Sequence, residues 1–102
     1  MTKELIFETE NEFQDYLIKE KYNFSKHIVE QIFHLIDNKL NRIKIANILI
    51  ESSGIIFEVV LEEQDLIKTL EENLIIYTEE EDYEGCKKIY DTIKLLKENQ
   101  KI

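Results

Sequence analysis

Five acids fill six positions near the C-terminus: Glu79, Glu80, Glu81, Asp82 and Glu84, with Tyr83 between them. Carboxylates at that density hold a hard cation, or work as acid and base, when they converge on one point. Consecutive acids at the start of a helix fan out around its axis instead. Gly85 follows the run, whereas a calcium loop needs its turn glycine inside. The plainer chemistry is electrostatic, because acids in a first helical turn face the positive end of the helix dipole. His27, Glu30 and His34 share a face at helical spacing, which is a possible ligand set. They belong to the polar arc of an amphipathic helix, however, and no second ligand group or H-E-x-x-H accompanies them. Cys86 is the sole cysteine and falls on an apolar stripe, as a packing residue does. Two isolated glycines make neither a phosphate loop nor a dinucleotide fingerprint. The chain therefore reads as non-enzymatic, with no catalytic residue, no metal and no cofactor.

Those residues sit in a chain of 102 residues with 22 acids and 13 bases, for a net charge of −9. The halves differ sharply. Residues 1–50 carry 8 acids and 7 bases, and residues 51–102 carry 14 and 6. One arginine and no basic cluster argue against direct nucleic-acid binding, which needs cations to replace counterions. An acidic half attracts a basic protein surface or serves solubility. No apolar run approaches the length that spans a bilayer, and the N-terminus lacks a signal-peptide core. A single cysteine fits a reducing compartment, so a cytoplasmic protein with no membrane partner is expected.

The hydrophobic pattern places the elements. A single domain over 1–102 is expected, of α+β class, with N-terminal helices over 10–40, a β-hairpin over 42–62 and a helical hairpin over 64–98. Alternation in 3–8 suggests a third strand in a small antiparallel sheet. Thr9 and Glu12 form a capping box for a helix ending near Tyr22–Asn23, and Ser25 suits the N-cap of the next. In that second helix Ile28, Val29, Ile32, Phe33, Leu35, Ile36 and Leu40 make the apolar arc, with His27, Glu30, Gln31 and His34 opposite. Two β-branched runs flank Ser52–Ser53–Gly54, and a phase slip predicts a bulge near Ala46–Asn47. Thr78 and Glu81 suggest a second capping box ahead of the last helix. There Tyr83, Cys86, Ile89, Tyr90, Ile93 and Leu96 form one stripe, and Leu95 lies off it.

Residues 66–98, LIKTLEENLIIYTEEEDYEGCKKIYDTIKLLKE, resemble the UVR motif. This short helical hairpin occurs in the helicase and nuclease subunits of excision repair and in some bacterial protease adaptors. The matching residues are Tyr83, Glu84, Cys86, Ile89, Asp91 and Ile93. Tyr90 stands where the family usually has arginine, and Cys86 where it often has alanine. The resemblance implies a protein-interaction element that packs against another copy of itself.

The expected function is that of a small acidic regulator or inhibitor engaging a larger protein through its C-terminal half. Glu79, Glu80, Glu81, Asp82, Tyr83, Glu84, Tyr90 and Leu95 are the candidate partner-binding residues. Tyrosine offers large contact area with a polar tip. Two other readings stay open. One is mimicry of nucleic acid, of the kind phages deploy against an immunity or repair enzyme with a basic groove. The other is an assembly subunit that forms a homodimer through the hairpin.

Overall fold

The structure, a computed structural model, describes residues 2–99, so the ends of the 1–102 domain lie outside it. The chain runs β1 (Lys3–Phe7), α1 (Glu10–Lys19), α2 (Lys21–Asp37), β2 (Arg42–Ile50), β3 (Ile55–Glu62), a short 3-10 turn (Glu63–Asp65), α3 (Leu66–Glu79) and α4 (Tyr83–Asn99). It is an α+β fold with a three-stranded sheet in the order β1-β2-β3.

The hairpin β2–β3 forms as the pattern predicts, antiparallel from Arg42↔Glu62 to Ile50↔Ile55. Gly54 closes its turn at φ +68°, a conformation that favours glycine. The register shifts between Lys44 and Ala46, which puts the bulge at Ile45, beside the predicted site. His27 Nε2 donates to the carbonyl of this bulge residue at 2.9 Å, which ties α2 to the sheet. The third strand is present, but the sheet is mixed rather than antiparallel. β1 runs parallel to β2, from Lys3↔Ala46 to Phe7↔Ile50. Two helices separate the strands in sequence and carry the chain back to the starting end of the sheet, as a crossover must. Alternation marks a strand but not its direction.

One face of the sheet meets the helices. Leu5, Phe7, Phe13, Phe24 and Val59 close over buried Ile45, Ala46 and Ile48. A larger cluster joins α2, α3 and α4 through Val29, Ile32, Leu35, Leu66, Leu70, Tyr77, Ile89 and Ile93. Ile28, Ile43 and Leu61 touch both clusters and make them continuous.

The N-terminal helices depart from expectation at their boundary. The Thr9 cap forms, with Glu12 N–H donating to Thr9 Oγ1 at 3.2 Å and Glu12 Oε2 accepting from Glu8 N–H at 2.9 Å. The break falls at Glu20, however, and Ser25 lies inside α2, fully buried. Its hydroxyl donates to Asn73 Oδ1 at 2.6 Å, and Asn73 Nδ2 donates to the Thr69 carbonyl at 2.8 Å. A serine with a tertiary partner looks the same in sequence as a serine that caps. Gln31, expected on the polar arc, is also buried, because α2 packs against both α3 and β2.

Candidate functional site

The middle of the acidic run, residues 80–82, is a three-residue link between antiparallel helices. Packing decides where those helices lie. Leu66, Leu70 and Tyr77 bury one face of α3, and Ile89 and Ile93 bury one face of α4. Half-buried Cys86 touches Thr78 across the gap at 3.5 Å, and Lys97 pairs with Glu71 at the other end at 3.5 Å. These two contacts mark the register that packing sets.

The turn itself corrects the second capping box. Thr78 is still helical, and its hydroxyl donates back to the Leu74 carbonyl at 2.8 Å. Glu81 N–H donates to the Thr78 carbonyl and Asp82 N–H to the Tyr77 carbonyl, both at 3.0 Å. That pair of bonds is a Schellman ending, with Glu81 in the left-handed position at φ +57° where glycine is usual. Asp82 is the residue that caps α4, since its Oδ1 accepts from Gly85 N–H at 3.0 Å.

The dipole argument therefore covers only part of the run. Asp82 and Glu84 lie at the positive end of α4, but Glu79 and Glu80 close α3, where a carboxylate faces the negative end. Glu79 is offset by Lys21 at 3.4 Å, an exposed pair worth little in water. Glu80, Glu81 and Glu84 point into solvent, as does Tyr83, which is 65% exposed.

Asp82 is also the link to the N-terminal half. Its Oδ2 accepts from the Tyr22 hydroxyl at 2.6 Å. Tyr22 stands edge-on to Tyr77 with centroids 5.5 Å apart, and Lys26 lies over the Tyr22 ring at 4.7 Å. The hydrogen bond from Tyr22 and that from the Gly85 backbone hold the Asp82 carboxyl below its ordinary 3.8. The same bond to Asp82, aided by desolvation, pushes the Tyr22 hydroxyl up from 10.0 to about 12. Burial, first of all, pushes Tyr77 to about 12 as well. Sequence reasoning missed Tyr22 and Tyr77 as part of this site, and nothing in their spacing announces a contact sixty residues long.

These shifts predict two limbs in the pH dependence of stability. A lowered carboxyl stabilises the fold above the unfolded value of 3.8, and that contribution disappears as pH falls through the folded value. A raised phenol stabilises below 10.0, and that contribution is lost as pH climbs from 10.0 towards about 12. Tyr22→Phe is expected to shrink both limbs in melting temperatures followed across pH. Tyr77 keeps part of the alkaline one. A variant whose pH profile overlays the parent's would show that the Tyr22–Asp82 bond contributes nothing.

The structure distributes the eight sequence candidates over more than one surface. Glu79 to Glu84 gather at the turn, with Asp82 turned inward to Tyr22. Tyr90 is exposed and lies on the same flank of α4 as Tyr83, two turns on. Leu95 is exposed too, but at helical spacing it sits about 140° around the axis from Tyr90 and shares no face with it. Behind the turn a shallow hollow of about 330 Å³ opens between α2 and α4, where Lys26, Glu30, Asp82, Glu84 and Lys88 mix both charges. Among the described residues no group of histidine, cysteine and carboxylate side chains could hold a metal ion, and no helix is long and apolar enough to cross a membrane. Comparison with known protein families, characterised proteins and solved structures returns no match.

Proposed function

We propose that this chain is a non-enzymatic regulator or inhibitor that binds a basic patch on a larger protein through the crest of its C-terminal hairpin. One observation carries the reading: hydrogen bonds tie down the backbone of the turn between α3 and α4, the crest of the hairpin, and its charge is presented outward. Asp82 spends both carboxylate oxygens on the fold, through Gly85 and Tyr22, and the link has no glycine to loosen it. Glu80, Glu81, Tyr83 and Glu84 are left exposed on that frame. Glu81 holds a left-handed backbone that glycine would adopt more easily, so a charged side chain is kept there at a conformational cost. Charges carried on a tied-down backbone around an exposed aromatic suit recognition, because little backbone freedom is lost on binding.

The test is affinity capture on the folded protein, against the triple variant Glu80→Lys, Glu81→Lys, Glu84→Lys. The parent is expected to retain a basic partner that the variant loses, with circular dichroism unchanged. Release of that partner at about 0.5 M salt is expected, since screening is strong there. A partner retained equally by both proteins would overturn the reading. A nucleic-acid-handling partner whose own substrate competes with the crest for the same groove would select mimicry.

A further inference from the structure

We propose that the free edge of β3 takes an extended, basic segment of a partner protein as a fourth strand. Among the described residues β3 pairs with β2 alone, so its other edge leaves backbone N–H and C=O groups without a strand. Its charges, Glu58 and Glu62, are acidic, and the other usual guards are missing. β3 spans eight residues, IIFEVVLE, with no proline and no lysine, and the bulge that would blunt an edge lies on β2 instead. The other edge, β1, is five residues long and begins with Lys3.

Side chains on both sides of β3 say what would fit. On the helix side, Phe57 stacks on Phe13 with centroids 6.5 Å apart yet stays 44% exposed. Phe13, Ile48, Phe57 and Val59 line a mostly apolar hollow that opens at this strand and wraps its edge to Glu58 and Val60. A fourth strand would lay alternate side chains beside it. On the opposite side Glu58 and Glu62 project. Lys44 reaches Glu58 at 3.5 Å, but both are exposed and the pair is weak. From Glu51 to Ile67 the chain carries Glu51, Glu58, Glu62, Glu63 and Asp65 and not one base. The complementary occupant alternates apolar residues towards the hollow with Lys or Arg towards Glu58 and Glu62. Backbone bonds then supply affinity, and the two sides supply selection. A second copy of this chain fits less well, since it sets like charges edge to edge between two molecules of charge −9. This surface is separate from the acidic crest and does not rest on it.

The probe is an end-blocked peptide of about nine alternating Val and Lys residues, long enough to span the strand. Fluorescence anisotropy reads its binding to the full chain, and amide hydrogen exchange locates it. Binding is expected with slowed exchange over residues 55–62. Methylating the peptide nitrogens that face β3 should weaken binding at least about tenfold, because those donors make the added ladder. Glu58→Lys with Glu62→Lys should weaken it as well. No binding up to about 1 mM would overturn the proposal. So would equal binding of the methylated peptide or of a Val/Glu peptide. Exchange changes confined to residues 79–84 would place the peptide on the crest and sink the edge. A dimer whose β3 amides are already protected without peptide would give the edge to a second copy instead.

Discussion

Leu70→Ala is expected to remove about 3–4 kcal/mol of stability, the range for a leucine with no exposed surface replaced by alanine in a core that cannot collapse. Leu70 lies within the cluster that joins α2, α3 and α4, so the cavity opens among three helices at once. For a domain of this size that loss lowers the melting temperature by roughly 20 °C. Urea unfolding should show a lower midpoint with an unchanged slope, because the surface exposed on unfolding is nearly the same. Ile75→Ala is the control. Ile75 sits on the same helix but is 62% exposed, and its removal should stay within about 0.5 kcal/mol. Comparable losses at both positions would mean that α3 is not anchored through Leu70.

Gly85→Ala should also destabilise, by roughly half as much, and against the direction that helix propensity predicts. In an exposed helix interior the change would gain up to about 1 kcal/mol. Here an added Cβ would lie 2.5 Å from Tyr77 Cε2, closer still to Cδ2, and 2.8 Å from Asp82 Oδ2. Tyr77 is buried and braced by Tyr22, so the ring has little room to yield. Overpacking of this kind costs about 1–3 kcal/mol, and a net loss near 2 kcal/mol is expected. The same displacement would disturb Asp82, so the acid limb of the pH profile should shrink in this variant. Tyr77→Leu placed on top of Gly85→Ala should recover part of the loss, since it removes the clashing ring. A stabilised Gly85→Ala protein would show that the crest is not packed as described.

Much of this architecture is legible in the sequence because apolar spacing and burial report the same thing. The α4 stripe is an instance in its middle: Ile89 and Ile93 are core and Cys86 and Leu96 flank it, while Tyr83 and Tyr90 on the same stripe are exposed, as is Leu95 off it. The β-hairpin and its bulge follow from a period of two and one phase slip. What the pattern could not supply is tertiary. Ser25 passes for a cap because a short hydroxyl beside an apolar run satisfies both roles, and only Asn73, far along the chain, decides between them. Thr78 and Glu81 imitate a capping box at the right spacing, yet the cap is Asp82, drawn inward by Tyr22 and Gly85. Grouping Tyr90 with Leu95 rested on exposure, which says nothing of direction around a helix. The acidic run was plain as composition. Its division between the end of α3 and the start of α4 depends on where the turn falls.

The parallel pairing of β1 with β2 also sets the order in which the chain can assemble. Lys3 meets Ala46 across the whole of α1 and α2, whereas β2 and β3 are joined by a four-residue turn and α3 and α4 by three residues. Closing a long loop costs entropy before any contact repays it, while the two hairpins close locally. Pairing of the N-terminal strand is therefore one of the non-local steps, with the docking of α2 on the helical hairpin, and it is expected to follow closure of the β2–β3 hairpin. Substitutions at Leu5 should accelerate unfolding while leaving the folding rate nearly unchanged, and a slowed folding rate would place β1 in the nucleus instead.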